Sequence, residues 1–334
     1  MSTEADPRFH QVASQVLEER AAQITALSKG VLDVVEPAAA NDLWLASRRL
    51  RAALEIFRPC LGRAEYREGR AEARRISRAV GERRDIDVVI AAYEAVMEET
   101  DPADAAGLDR VIGNLRRDQA RANRALAQVV HGRRMQAFRV RMEEIADSTV
   151  ESDPGDRVEE YRTVEVMPPE VLALVGKRLA RLRREAAASL EPDGMEAQHR
   201  MRVAAERLRY ALELTGDALG SQAHTARRAA RGLQEVLGEI RDCDLAVPPA
   251  RQATRELEAE DVATIIERGR GSRDLDPILV QAAPNRAAYR GIELAVVHLL
   301  ARRQMLFERF KRLWLEQSRQ GVWVALETSL KVES

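Results

Sequence analysis

The chain repeats itself. Shifting it by 158 residues lays NDLWLASRRLRAALEI (41–56) on HRMRVAAERLRYALEL (199–214), so that Ala46 matches Ala204 and Arg49-Leu50-Arg51 matches Arg207-Leu208-Arg209. Ala53-Leu54-Glu55 falls on Ala211-Leu212-Glu213 in the same frame. A shift of 157 lays VGERRDID (80–87) on LGEIRDCD (237–244). Two motifs in the same order at nearly the same offset restrict the chain to a duplicated architecture, in which each copy builds the same local structure and buries the same face.

The repeated unit reads as helical. Long stretches rich in Ala, Leu, Arg and Glu carry few alternating β-branched runs and are punctuated by short Pro or Gly insertions. The pattern predicts helices over 8–35, 40–61, 64–99, 104–143, 169–190, 195–219, 221–243, 250–268 and 286–319, hence an all-α protein. Between the fourth and fifth lies a polar stretch with Pro154, Gly155 and the Pro168-Pro169 pair, which no helix would run through. It marks the expected boundary between the two halves. Residues 269–284, GRGSRDLDPILVQAAP, read as a long mobile loop.

Composition bears on what such a chain binds. Lys plus Arg number 53 and Asp plus Glu 54, so net charge alone attracts no anion and any anion site must come from local clustering. Only Lys29, Lys177, Lys311 and Lys331 are lysines. A GC-rich genome explains an overall arginine bias, but not its placement. Cys60 and Cys243 lie far apart, form no metal motif and suit a reducing cytoplasm. No apolar run approaches the roughly 20 residues that span a bilayer.

Winding 199–214 at about 100° per residue puts Met201, Ala204, Ala205, Leu208, Ala211 and Leu212 on one face, the stripe to be buried. His199, Arg202, Glu206 and Arg209 take the opposite face, with Arg207 on its flank; the first copy places Asn41, Trp44, Arg48 and Arg51 there, with Arg49 on the flank. Each helix is therefore expected to carry a basic outer stripe. Arg67, Arg70, Arg74 and Arg78 share one side of the next helix, and His224, Arg227, Arg231 and Glu235 stand at the matching positions. The fourth helices carry Arg117, Arg121, Arg124 and His131 in one half and His298, Arg302 and Arg309 in the other.

Solvated helix faces normally mix charge signs through i, i+4 pairs. The row 67-70-74-78 is unmixed, and like charges so close repel unless an anion neutralises them. No glycine-rich phosphate loop is present. Phe, Tyr and Trp are few and do not interleave with the basic rows, which removes the stacking platforms that single-stranded nucleic acids need. A phosphate polymer without bases remains, and arginine forks suit it by giving two charge-assisted bonds to one phosphate.

At this point the chain resembles the CHAD domains, helical modules that bind inorganic polyphosphate. The resemblance is carried by His199, Arg202, Arg207, Leu208 and Arg209, and by the Leu237-Gly238, Arg241, Asp242 turn with its first-half counterpart Val80-Gly81, Arg84, Asp85. Trp314 in an arginine-rich final helix adds to it. It implies two tandem four-helix bundles, 8–143 and 169–320, joined by a linker over 144–168 and related by an internal pseudo-twofold. It implies also a basic groove or pore between the bundles that holds polyphosphate without catalysis, cofactor or metal. The expected ligand-binding residues are Arg48, Arg49, Arg51, Arg67, Arg70, Arg74, Arg78, Arg117, Arg121, Arg124, His199, Arg202, Arg207, Arg209, Arg227, Arg231, Arg302 and Arg309. The expected setting is cytoplasmic, with polyphosphate granules as an associated structure. Asn41, Trp44, Glu206 and Glu235 depart from the basic pattern; the two glutamates either orient Arg202 and Arg231 or weaken the second half's site.

Two rivals stay open. Asp85 with Asp87 and Asp242 with Asp244 form Asp-x-Asp pairs that a metal-dependent phosphohydrolase would use, with His199 as acid or base. Residues two apart on a helix point about 200° away from each other, so this requires each helix to end there. The other rival is a basic surface that docks an acidic protein or RNA. Protonation of His199 would add a positive charge at the expected site, so polyphosphate should bind more tightly at about pH 6 than at about pH 8. Equal affinity at both, measured by titration, removes that role from His199.

Overall fold

The computed structural model describes residues 7–102, 104–149, 167–281 and 283–332. The regular elements among them are all helical: α1 (Pro7–Leu27), α2 (Pro37–Ile56), a 3-10 turn (Arg58–Cys60), α3 (Arg63–Glu98), α4 (Ala105–Val130), α5 (Gly132–Asp147), α6 (Pro169–Ser189), α7 (Met195–Arg268), α8 (Ile278–Gln281), α9 (Arg286–Arg319) and α10 (Val322–Val332). No helix among the described residues is long and apolar enough to cross a membrane. Most of the expected linker, residues 150–166, lies outside the described residues.

Local chemistry explains where the helices depart from expectation. The first helix stops at Leu27, and Pro37 opens the next from a position where its missing N–H is no loss. The predicted helix 104–143 is two helices. His131 leaves helical geometry and caps α5, its Nδ1 accepting from the Arg133 backbone N–H at 3.3 Å, so it ends the basic row assigned to the fourth helix instead of extending it. Gly220, at φ 72°, kinks α7 in a conformation that favours glycine. The kink folds the two arms of α7 back on each other, and Arg209 Nε donates to Gln234 Oε1 at 2.7 Å across it.

The break expected between 243 and 250 is absent: helix continues through Pro248 and Pro249. Two prolines remove two ladder donors. Beside them the buried Tyr93 hydroxyl donates to the Ala246 carbonyl at 2.6 Å, a side chain inserted into the ladder at its weakest turn. Helix α10 was not foreseen. Gly321, at φ 70°, turns the chain, and Val322, Trp323, Leu326 and Leu330 then bury one face, with Trp323 stacked on Trp314 at 5.8 Å.

The chain divides into two compact units that cut across both sequence halves. Unit 1 contains Met1–Arg84, Ala122–Gly238 and Phe307–Ser334; unit 2 contains Asp85–Arg121 and Glu239–Leu306. In unit 1, α1 packs on α2 and α5, and Phe9, Leu17, Leu43, Leu50, Phe138 and Leu208 are among its fully or nearly fully buried residues. Unit 2 has its own core, built from Val89, Ile90 and Tyr93 of α3, Leu108, Val111 and Leu115 of α4, Ala246, Ala250 and Leu257 of α7, and Ile292, Val296 and Leu299 of α9. The apolar spacing of three and four residues is what a buried helix stripe requires.

Helices α4 and α9 approach closely in unit 2 because glycine permits it. A Cβ on Gly107 would collide with the Ala288 carbonyl, and one on Gly291 with the Asp104 carbonyl. Both obstacles are backbone, which cannot swing aside. Gly291→Ala should therefore lower stability by about 1–3 kcal/mol through overpacking, read by denaturant unfolding, with faster amide exchange confined to unit 2. Wild-type stability in the variant would contradict this packing.

Candidate functional site

The repeated motif helices form the centre of unit 1. As its periodicity requires, Met201, Ala204, Ala205, Leu208, Ala211 and Leu212 are buried. The opposite face is covered too, which corrects the expected outer stripe. Glu206 is 1% exposed, and the Arg202 and Arg209 side chains are 12% and 13% exposed. The cause is α2, whose arginines reach this face of α7.

Three carboxylates organise the group. Glu206 takes an ion pair from Arg48 and another from Arg202 at 3.4 Å. Glu213 pairs with Arg20 at 3.2 Å, Arg49 at 3.4 Å and Arg209 at 3.7 Å. Glu55 pairs with Arg178 at 2.6 Å and Arg70 at 3.9 Å. Arg178, which is almost fully buried in α6, also donates to the Arg207 carbonyl at 2.9 Å. Aromatic faces also meet guanidiniums here: Arg48 and Arg84 lie 4.6 and 5.2 Å from the Trp44 ring centre, and Arg209 lies 4.3 Å from that of Tyr210. A side chain at Gly81 would press on the Trp44 indole, which explains a glycine there.

The contacts follow a twofold pattern. Arg20 and Arg178 are themselves 158 residues apart, as are Glu55 and Glu213. Arg20 of the first copy pairs with Glu213 of the second, and Arg178 of the second pairs with Glu55 of the first. Reciprocal pairs of this kind are what a twofold operator produces. Positions 48 and 206 are equivalent at the same offset and meet each other, as residues beside the axis must.

Arg51 forms no side-chain ion pair among the described residues. Its Nε is buried and finds no hydrogen-bond partner among the described residues. Burial and the nearby Arg48 guanidinium push its pKa below the ordinary arginine value, Glu55 opposes them, and Arg207 and Arg70 add to the depression. An anion placed here would relieve repulsion among Arg48, Arg51, Arg70 and Arg207. Tyr210 is shifted the other way: burial and then Glu206 push its hydroxyl up, against Arg209, Arg48 and Arg49.

The structure thus brings together Arg48, Arg49, Arg51, Arg70, Arg202, Arg207 and Arg209 of the expected set. Others fare differently. The row 67-70-74-78 is less unmixed than its spacing suggests, because Arg70 pairs with Glu55 from α2 and Arg78 with Glu82 one turn on. Arg67, Arg74 and Arg124 are exposed, and Arg227 is half-buried. Arg231 pairs with Glu235 at 2.7 Å, so that glutamate neutralises its own neighbour at the surface. His199 is half-buried and engaged, and Arg309 is exposed and engaged, both in unit 1. Arg117, Arg121 and Arg302 belong to unit 2, where Arg117 donates to Asn114, Arg121 pairs with Asp118, and Arg302 pairs with Glu239 at 3.2 Å.

Sequence reading missed Arg20, Arg178, Glu55 and Glu213. The matched glutamates and the matched Arg20 and Arg178 were visible at the 158-residue offset, whereas burial of Arg178 had no signal in its leucine-rich helix.

The Asp-x-Asp pairs do not form a metal site of the kind a hydrolase needs. Helices α3 and α7 continue past both, and the expected Gly-x-x-Arg-Asp turns are helix interior. Each pair therefore diverges by about 200°. Asp87 accepts from Gln119 Nε2 at 2.7 Å, and Asp244 pairs with Arg303 at 2.6 Å. No group of three or more metal-ligating side chains occurs among the described residues.

The CHAD-domain family profile matches residues 15–248. The chain belongs to the CHAD-domain family. Its fold is similar to the crystal structure of the CHAD domain from the plant Ricinus communis, with a TM-score of 0.56 at 20% identity over 99% of this chain and 94% of that one. It is also similar to PptA from Streptomyces chartreusis, with a TM-score of 0.55 at 16% identity over 91% of this chain and 99% of that one. No curated protein sequence matches it.

Removing one ion-pair partner of Glu206 exposes how that carboxylate is held. Arg48→Ala leaves Glu206 buried with Arg202 as its remaining described ion-pair partner and should cost about 2 kcal/mol in unfolding free energy. Arg74→Ala, at an exposed position, should change stability by less than about 0.5 kcal/mol. Similar losses for the two in thermal or denaturant unfolding would contradict the assignment.

Proposed function

We propose that the arginine group of unit 1 binds inorganic polyphosphate and acts as a binding module without catalysis. The observation that carries this reading is the gathering of Arg20, Arg48, Arg49, Arg51, Arg70, Arg178, Arg202, Arg207 and Arg209 around three carboxylates, Glu55, Glu206 and Glu213, among the described residues. Guanidiniums so placed stay strongly positive, and their planar forks match phosphate oxygens two at a time. The twofold pattern supports a repeating ligand, because equivalent forks on either side of the axis meet equivalent phosphates. CHAD domains are associated with polyphosphate binding, which agrees with this chemistry. The tandem bundles 8–143 and 169–320, the further contacts from Arg67, Arg74, Arg78, Arg117, Arg121, Arg124, His199, Arg227, Arg231, Arg302 and Arg309, and a cytoplasmic setting beside polyphosphate granules belong to the same proposal.

Arg51 and Arg207 make the cleanest probe, since neither forms a side-chain ion pair among the described residues. Loss of two charge-assisted contacts at about 1.5–3 kcal/mol each predicts that Arg51→Ala combined with Arg207→Ala weakens binding to immobilised long-chain polyphosphate by at least 100-fold. Short phosphates, heparin and RNA serve as competitors. The proposal expects long polyphosphate to displace the protein far better than RNA does, and affinity to fall steeply with salt as ions are released. Full retention by the double variant, or equal displacement by RNA, overturns it; the latter result points to a generic cationic surface.

A further inference from the structure

Glu206 stands where the repeat would put an arginine. Its counterpart at the 158-residue offset is Arg48, the two meet each other, and Arg202 closes the group from the preceding turn of α7. A fully basic pair here would set like charges against each other on the axis, and only an external anion would neutralise them. We propose that Glu206 is an internal counter-anion: its carboxylate occupies the place of one phosphate, holds Arg48 and Arg202 in the ligand-free protein, and competes with polyphosphate for both. This inference rests on the binding function proposed above and deepens it.

Three observations support competition rather than simple bracing. The carboxylate is almost completely buried, so water screens it little and its charge acts at full strength on its neighbours. Arg48 is also held by the Trp44 face, which keeps its guanidinium oriented without the acid. Arg51, one turn from Arg48, carries a buried Nε with no hydrogen-bond partner among the described residues, and burial and then Arg48 lower its pKa, so this cation beside the acid remains under-neutralised. By contrast, Glu235 neutralises Arg231 at an exposed position, where solvent already screens both.

The test compares Glu206→Gln with wild type and with Glu143→Gln, whose exposed partner Arg139 lies outside the proposed binding set, using long-chain inorganic polyphosphate as the probe in titration calorimetry at several salt concentrations. Removing the counter-anion should tighten binding about ten-fold, the equivalent of one freed charge-assisted contact. It should also steepen the salt dependence by about one released ion. Glu143→Gln should change affinity less than two-fold. The isosteric amide leaves Arg48 and Arg202 under-neutralised, so the variant should melt earlier and regain more of its melting temperature on adding polyphosphate than wild type does. Should Glu206→Gln fail to fold, Glu213→Gln tests the same competition at a partly exposed carboxylate that serves Arg20, Arg49 and Arg209. Unchanged or weaker binding in the folded glutamine variant overturns the counter-anion, leaving Glu206 a positioning residue. Failure of wild type and variants alike to bind overturns the proposed function instead.

Discussion

A carboxylate shut between two guanidiniums governs the centre of this protein. Glu206 is buried, and an unpaired buried charge would cost several kcal/mol. Its pairs with Arg48 and Arg202 therefore admit one register of α2 against the first arm of α7 and penalise the alternatives. Such a pair specifies an arrangement more than it adds stability, since desolvation offsets most of its attraction. Once that register is set, Arg49 reaches Glu213, Arg51 lies beside Glu55, and the flanking helices add Arg20 and Arg178 from equivalent places.

Duplication gives this centre its character. Arg48 and Glu206, equivalent at the 158-residue offset, meet each other, and Arg20 and Arg178 exchange partners between the copies, the reciprocal pattern that a twofold relation would produce. Like charges meeting at an axis repel, so a duplicated basic helix needs either an anion between its copies or a change of sign in one of them. This chain has changed the sign at position 206 and kept both flanks basic.

Much of this was legible in the sequence, because apolar spacing and the two repeat offsets are local signals. They gave the helical class and the buried stripe on 199–214, and they pointed to Arg48, Arg51, Arg207 and Arg209, which the fold brings near one another. What escaped depends on partners distant in the chain. Nothing local says that Arg178 is buried, or that the polar face of 199–214 is covered by another helix. Nor does spacing alone reveal that Arg70 finds Glu55 on α2, so an unmixed row looked more exposed to like charge than it is. The prolines at 248 and 249 misled for a related reason: the Tyr93 hydroxyl that braces the helix there comes from α3, more than 150 residues earlier.

The most direct measurement is arginine side-chain nuclear magnetic resonance, following each Nε–H signal while long-chain polyphosphate is added. The largest changes should fall on Arg48, Arg49, Arg51, Arg202, Arg207 and Arg209 together, saturating at one ligand concentration. Changes confined to exposed arginines such as Arg67, Arg74 and Arg124, with the central set unmoved, would contradict a polyanion site built on the repeated helices.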